Sequence, residues 1–241
     1  MARVFLRRAR PELPAVSFVV PVPPQPSVPV EGGGLFPVRR IWCVGRNYAA
    51  HAREMGHDDR EPPFFFSKPA DAVVPGGGDV PYPPDTADLH HEVELVLAIG
   101  LRGRDIPVGA ALEHVFGYAV GIDLTRRDRQ AEAKKAGRPW DLAKGFDRSA
   151  PIGDIRPVVP EGHVRGGRIL LTVDGQTRQQ AELADMSWSP AEVIAALSRS
   201  VELAPGDLIF TGTPEGVGPL ERGQRVVAHV EGLLPLLMRL V

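Results

Sequence analysis

Two glutamates separated by one residue form the first chemical pattern in the sequence. Glu92 and Glu94 lie in the segment LHHEVELVLAIG, whose residues alternate cleanly between two faces and predict one β-strand. Both carboxylates would then project from one face, about 6.6 Å apart at ~3.3 Å per residue. Val96 and Ala98 share that face, which favours burial, and a buried carboxylate needs a positive partner. The pair indicates a cation site or, alternatively, an ordinary solvated strand face.

A third carboxylate follows the apolar run VFGYAVGI. Asp123 stands between a predicted strand and a predicted helix, a position typical of functional sites and equally of helix N-caps. With Glu92 and Glu94 it would complete an oxygen-only donor set, which suits Mg²⁺ or Mn²⁺. His90 and His91 precede the pair, but a histidine beside a strand is more often packed or solvent-facing than a metal ligand.

Two spaced pairs could act on a substrate. His51 and Glu54 are three residues apart, so in a helix the carboxylate would orient the imidazole and raise its basicity, as in a general base. An ordinary surface ion pair is the alternative. Arg127 and Gln130 would likewise share one face of a helix, and a solvated polar face is the alternative there.

Two single residues complete the candidates. Lys144 lies in the mixed segment LAKGFD, where a surface lysine is equally plausible. Thr213 lies in the Gly/Pro turn TGTPEGVG, which could present backbone N–H groups and a hydroxyl to an anion but lacks the P-loop pattern. Taken singly, none of these residues identifies a reaction.

Composition excludes several classes of partner. The chain has 241 residues with 28 Lys+Arg against 30 Asp+Glu, and this net charge of −2 leaves no basic excess for binding nucleic acid. No apolar run is long enough to span a membrane, and no secretory signal is recognisable. Cys43, the single cysteine, cannot form an internal disulfide, so we expect a reducing, cytoplasmic location.

The elements that must position these residues are mostly short strands. The 26 glycines and 25 prolines indicate many turns, and the predicted class is α+β, dominated by β-structure. Further strands are predicted over IWCVG, PPFFFSKP, GDLIFTGT and QRVVAHVEG, with a hairpin RILLTV–Asp174–Gly175–QTRQQAEL. Helices are predicted from Asn47 to about Met55, over 126–136 with Thr125 and Asp128 at its start, and from Ser189-Pro190 to about Leu203.

We expect a single domain over residues 17–241. Residues 1–16 are predicted to be an N-terminal extension without periodicity. Residues 17–34 form a Pro-rich lead-in that ends at three consecutive glycines and cannot form a core alone.

Six segments, in this order and spacing, resemble the fumarylacetoacetate hydrolase family, most closely its short bacterial branch of fumarylpyruvate hydrolases and acylpyruvases. They are VGRNYAAHAREMG (44–56), FFFSKPADAV (64–73), DLHHEVELVLAIG (88–100), GYAVGIDLTRRDRQ (117–130), GRPWDLAKGFD (137–147) and FTGTPEGVG (210–218). The resemblance runs from about Phe18 to the C-terminus. It implies a mixed β-sandwich roll of the family's C-terminal domain type, with a divalent metal at its open end, and a homodimer.

The resemblance also implies a role for each candidate. It implies metal binding by Glu92, Glu94 and Asp123, catalysis by His51, Glu54 and Lys144, and substrate binding by Arg127, Gln130 and Thr213. The implied reaction is metal-dependent hydrolysis of a C–C bond in a 2,4-dioxo acid, with fumarylpyruvate giving fumarate and pyruvate. The alternatives are an acylpyruvase with oxaloacetate decarboxylase activity, a 2-oxo acid decarboxylase or isomerase on the same scaffold, and a non-catalytic binding protein.

Overall fold

The protein is built mainly from strands. The computed structural model describes residues 18–48 and 61–241. The strands are β1 (Ser27–Pro29), β2 (Leu35–Pro37), β3 (Arg40–Gly45), β4 (Phe64–Lys68), β5 (Val73–Pro75), β6 (Gly77–Val80), β7 (Leu89–His91), β8 (Val93–Ile99), β9 (Val115–Ile122), β10 (Thr125–Arg126), β11 (Ala150–Ile152), β12 (Arg156–Pro157), β13 (Arg168–Val173), β14 (Gln176–Glu182), β15 (Asp207–Phe210), β16 (Gly218–Pro219), β17 (Arg225–Val230) and β18 (Leu236–Leu240). The α-helices are α1 (Arg127–Ala136), α2 (Asp141–Lys144) and α3 (Pro190–Ser200), and short 3₁₀ helices cover Ala70–Ala72, Val108–His114 and Leu183–Asp185.

Two mixed sheets carry the fold. The large sheet has the order β4-β3-β15-β8-β9-β11-β5, with β12 also paired to β9, and its β3/β15 and β5/β11 pairs are parallel. The second sheet has the order β14-β13-β17-β18-β6. A three-stranded sheet, β10-β7-β16, and the β1–β2 pair complete the topology. The β-dominated α+β class predicted from composition is therefore confirmed.

The central strand β8 is covered on both faces. Alternate residues Val93, Leu95, Leu97 and Ile99 join a hydrophobic cluster that includes side chains of the second sheet and of α3. The intervening Val96 and Ala98 join another cluster, which the β1–β2 pair helps to cover. Neither face of β8 is solvated, and Glu94 in the strand and Glu92 just before it are both buried. The interpretation of the two glutamates as an exposed pair is therefore wrong.

The two long helices follow their sequence signals. Helix α1 ends at Gly137, whose φ of 62° places it in the left-handed region typical of a helix C-cap. Helix α3 begins with a capping box in which the Ser189 and Glu192 side chains bond each other's backbone N–H. It ends at Ser200, short of the predicted Leu203, because the next residue has an extended backbone.

Two other features test the predicted strands. The β13–β14 hairpin turns at Asp174 and Gly175, with φ values of 49° and 77°, and this prediction is confirmed. The segment LHHEVELVLAIG, however, is not one strand. It divides at Glu92, where the chain passes from β7 in the three-stranded sheet to β8 in the large sheet.

Two predictions for the N-terminal half concern residues that the structure does not describe. The extension over 1–16 lies outside the described residues, as does nearly all of the helix predicted after Asn47. Asn47 itself is buried, and its side-chain amide forms hydrogen bonds with the backbones of Trp188 and Thr211.

In the part of the chain that the structure describes, no helix is long and apolar enough to cross a bilayer.

Candidate active site

Strand pairing brings the three candidate carboxylates together. Glu94 on β8 lies opposite Gly121 on β9, and just past this ladder the Asp123 N–H donates to the Glu92 carbonyl at 2.8 Å. One side-chain oxygen from each acid lies within 4.8 Å of the others. The residues are only 6%, 1% and 0% exposed for Glu92, Glu94 and Asp123, so three carboxylates converge in a nearly dry site.

Lys144 provides a buried positive charge within this group. It ends the short helix α2, and its Nζ donates hydrogen bonds to Glu92 Oε2 at 2.8 Å, Asp123 Oδ2 at 2.7 Å and Thr125 Oγ1 at 2.7 Å. Burial alone would lower the pKa of Lys144, but the two carboxylates more than offset it and raise the pKa above its usual value. The alternative of a surface lysine is therefore wrong.

Thr125 corrects one sequence prediction. It does not cap α1, which begins at Arg127 without a side-chain cap. Its hydroxyl accepts from Lys144 and donates to the Asp123 carbonyl at 3.1 Å. Asp128, its predicted capping partner, instead accepts from the Thr86 hydroxyl and the Ala87 N–H. The hydroxyl helps to hold the ion pair because it lies two residues past Asp123, inside the buried site.

A second buried lysine was missed. Lys68, at the end of β4, has Nζ 2.8 Å from Asp123 Oδ1 and donates to the carbonyls of Leu124 and Lys144. Its ammonium therefore both neutralises Asp123 and fixes the chain that carries Lys144. The sequence signal was a lysine two residues after Phe66, on the same face of a strand bounded by prolines.

The turn after β15 serves the carboxylates in an unexpected way. The sequence predicted that TGTPEGVG could present N–H groups to an anion, and the Gly212 N–H does donate to Glu94 Oε2 at 2.7 Å. The anion it meets is therefore the protein's own carboxylate. Burial, followed by the nearby Asp123 and Glu92, raises the pKa of Glu94 well above its usual range.

Gln179 is another residue that the sequence analysis missed. It is buried on the otherwise exposed edge strand β14, where a register shift re-aims the chain. Its Oε1 lies 2.8 Å from His91 Nδ1, and its Nε2 donates to Thr213 Oγ1 at 2.8 Å and to the Pro214 carbonyl at 2.9 Å. Because Thr213 accepts this bond, its own hydroxyl proton stays available for a ligand.

Arg127 and Gln130 share a face of α1, as their spacing predicted, and that face is not a solvated one. Arg127 donates to Glu92 Oε1 at 2.5 Å and to Gln130 Oε1 at 2.6 Å. Gln130 is only 3% exposed. The guanidinium is thus held against one carboxylate at the mouth of the site.

These groups surround one pocket. Of the predicted site residues, six line it: Glu92, Glu94, Arg127, Gln130, Lys144 and Thr213. Asp123 lies behind Lys144, and Phe64, Phe66 and Trp140 form an aromatic wall. His51 and Glu54 lie outside the described residues. We term the buried charged set the pocket floor: Lys68, Glu92, Glu94, Asp123 and Lys144.

The carboxylates suit a divalent metal. Oxygen-only donors favour Mg²⁺ or Mn²⁺, which keep open positions for water or substrate. Glu92, Glu94 and Asp123 offer one buried oxygen each within 4.8 Å of one another. The close neighbour of Asp123 Oδ1 is the Lys68 ammonium at 2.8 Å. The fit to a divalent ion therefore rests on the chemistry of the oxygen donor set.

Comparisons with known proteins agree with this geometry. The family model for the fumarylacetoacetate (FAA) hydrolase C-terminal domain matches residues 40–241. The crystal structure of a Pseudomonas aeruginosa fumarylpyruvate hydrolase with Mn²⁺ and pyruvate is 53% identical, has a TM-score of 0.91, and covers 93% of this chain and 99% of its own.

Two curated relatives have other activities. The mitochondrial oxaloacetate tautomerase FAHD1 of Arabidopsis thaliana is 43% identical over 80% of this chain and 87% of its own. The mitochondrial oxaloacetate decarboxylase of Dictyostelium discoideum is 40% identical over 81% and 90%. This chain therefore belongs to the fumarylacetoacetate hydrolase family, whose members named here are enzymes, and its pocket has the carboxylates for a divalent metal.

Proposed function

We propose that the protein is a metal-dependent hydrolase that cleaves fumarylpyruvate to fumarate and pyruvate. The observation that carries this proposal is the convergence of Glu92, Glu94, Asp123 and Lys144 in one buried cluster at the pocket floor. The relative that holds Mn²⁺ and pyruvate supports it, because pyruvate is one product of this reaction.

The proposed reaction has one difficult step. Water adds to C4 of the 2,4-dioxo acid, the C3–C4 bond breaks, and its electron pair moves to C3 and onto the C2 oxygen as an enolate. Protonation of C3 then releases pyruvate. A divalent ion held by Glu92, Glu94 and Asp123 supplies Lewis-acid stabilisation for the negative charge that develops.

The residues around the pocket have separate tasks in this proposal. Lys144 stays protonated between two carboxylates and stabilises the enolate oxygen with its positive charge. Arg127 and Gln130 orient the substrate oxygens from α1, and the Thr213 hydroxyl donates a hydrogen bond to the substrate.

Hydrolysis also needs a base that deprotonates the attacking water. We assign this task to His51, oriented by Glu54, on the sequence motif and the family resemblance alone. A general base of this kind contributes typically 10²–10⁴-fold in rate.

A second candidate reaction is conversion of oxaloacetate, by decarboxylation or tautomerisation. The identity to curated oxaloacetate enzymes favours it. Decarboxylation needs the same enolate stabilisation but no attacking water. His51→Ala should therefore abolish fumarate formation and leave oxaloacetate decarboxylation intact, and equal loss of both would remove the basis for separating them.

The family resemblance supports an inference about assembly, and the single cysteine supports one about location. We infer a homodimer that acts on a small-molecule 2,4-dioxo acid, with no nucleic acid or membrane partner. We assign it to the cytoplasm, since Cys43 is unpaired.

The test of the proposed function is an assay of the purified protein with Mg²⁺. Loss of the enol absorbance is followed for fumarylpyruvate and, in parallel, acetylpyruvate, with EDTA as the control. We expect metal-dependent loss for fumarylpyruvate, with fumarate and pyruvate recovered. No loss with either substrate, while metal is bound, would transfer the assignment to oxaloacetate chemistry.

A further inference from the structure

Two basic residues at the mouth of the pocket have no assigned task. Arg46 follows β3 and has a φ of 59°, which is unusual for a residue with a side chain and tends to occur at functional positions. Lys134 lies on α1, one turn beyond Gln130. Both line the pocket, and we term these two residues the cationic rim.

Each rim cation lies over an aromatic ring of the pocket wall. The Arg46 guanidinium is 5.2 Å from the centre of the Phe64 ring, and Lys134 Nζ is 5.2 Å from the centre of the Trp140 ring. The two rings meet edge to face, with centroids 5.5 Å apart. The rings therefore fix the two positive charges on one side of the pocket.

Among the residues that the structure describes, few acidic groups neutralise the charges of the rim. Arg127 and Lys144 have close carboxylate partners, but the acidic contact of Arg46 within this part of the chain is the exposed Glu61 at 3.7 Å. Lys134 has no acidic group within ion-pair distance among the residues that the structure describes. Partial desolvation, with repulsion from Arg127 and Arg46, lowers its pKa. An anion between these cations would relieve that repulsion.

We propose that the cationic rim binds the distal carboxylate of a dicarboxylic acylpyruvate. This inference rests on the proposed function and deepens it, because it selects the substrate class within that reaction. The 2-oxo acid end would lie at the pocket floor, while the planar unsaturated chain packs along Phe64 and Trp140. Acetylpyruvate carries only a methyl group on C4 and lacks both the unsaturated chain and the second carboxylate, so it leaves the rim unpaired.

Kinetics with the two substrates test the rim. Arg46→Gln and Lys134→Met should each lower the ratio of kcat/KM for fumarylpyruvate to kcat/KM for acetylpyruvate by about 10–100-fold, since a hydrogen bond between charged groups is lost. Lys134→Arg should restore most of the ratio. Lys135→Met, at the next position of α1, is the matched control and should keep the wild-type ratio. An unchanged ratio in both rim variants would overturn the proposal.

A binding experiment tests the role of the rim without relying on catalytic turnover. Isothermal titration of the Mn²⁺-loaded protein compares fumarate with trans-2-butenoate, which replaces one carboxylate by a methyl group. We expect fumarate to bind at least about 10-fold more tightly, and this preference to disappear in Lys134→Met. If neither acylpyruvate is cleaved but the preference holds, the rim stands and the proposed function fails. If fumarylpyruvate is cleaved but no preference exists, the rim assignment is wrong.

Discussion

The pocket floor and the cationic rim handle charge in opposite ways. At the floor, three carboxylates and two ammonium groups are nearly excluded from water. Lys144 pairs with Glu92 and Asp123, Lys68 pairs with Asp123, and Glu94 accepts the Gly212 N–H. At the rim, two like charges lie near each other at the pocket mouth, and their acidic neighbour Glu61 is exposed. A floor of paired charges holds its geometry without a ligand, whereas a rim of like charges favours an added anion. The floor therefore provides chemistry that many 2-oxo acids can undergo. The rim provides the specificity that distinguishes one 2-oxo acid from another.

The largest expected effect is on stability at the floor. Lys144→Met should lower the free energy of unfolding by about 3–5 kcal/mol, because it removes the buried ammonium that Glu92 and Asp123 share and leaves Asp123 with Lys68 and Glu92 with Arg127 as their cationic partners. Urea denaturation of the metal-free protein measures this loss. Mn²⁺ should recover more stability in the variant than in wild type, since it replaces the missing positive charge. Equal stability of Lys144→Met and the exposed control Lys135→Met would contradict the description of the floor.

The second effect is on metal affinity. Glu94→Gln keeps the shape of the side chain, and its carbonyl oxygen can still accept from the Gly212 N–H, so the fold should persist. We expect the Kd for Mn²⁺ to rise by more than about 100-fold, beyond the effect of losing an outer-shell partner. Electron paramagnetic resonance of free Mn²⁺ measures it, with the exposed Glu113→Gln as the control. Unchanged affinity would exclude Glu94 from the metal site.

A third, smaller effect, on kcat, is expected from a substitution where strand β14 contacts the turn after β15. Gln179→Ala frees the Thr213 hydroxyl from its partner and should lower kcat roughly 10-fold through misplacement, while Mn²⁺ affinity stays the same. Gln180→Ala, at the next and exposed position, is the control. In a Thr213→Ala background the same change should have little further effect. Full additivity of the two substitutions would show that Gln179 acts elsewhere.

The smallest effect is predicted for the free energy of unfolding when a residue of the rim is replaced. Lys134→Met should change the free energy of unfolding by no more than about 0.5 kcal/mol, because the exposed lysine forms no ion pair with a residue that the structure describes. Thermal and urea denaturation of this variant and of Lys144→Met provide the direct contrast. A loss at the rim as large as that at the floor would remove the distinction between the two regions.

The sequence predicted what depends on local patterns. The C-terminal end of helix α1 at Gly137, helix α3 and the hairpin at Asp174-Gly175 follow capping and turn signals that act within a few residues. The convergence of Glu92, Glu94 and Asp123 was expected from the family resemblance, whereas the residue pattern alone left a solvated face open. What decides against that face is the packing of hydrophobic clusters on both faces of β8.

Long-range contacts explain what the sequence did not predict. Lys68 meets Asp123 across 55 positions of the chain, and Gln179 meets Thr213 across 34. Thr125 was predicted as a helix cap because its local pattern fits one, but Lys144 competes for its hydroxyl. Side chains that serve a partner far along the chain carry little local signal.

One titration tests the central claim that the buried carboxylates of the floor hold the metal needed for C–C cleavage. Metal-free protein is titrated with Mn²⁺ while fumarylpyruvate loss and the appearance of fumarate and pyruvate are measured together. We predict that cleavage rises with bound Mn²⁺ up to one equivalent per chain, and that Glu94→Gln shows neither tight binding nor cleavage at that concentration. Cleavage that is independent of metal, or undiminished in Glu94→Gln, would contradict the claim.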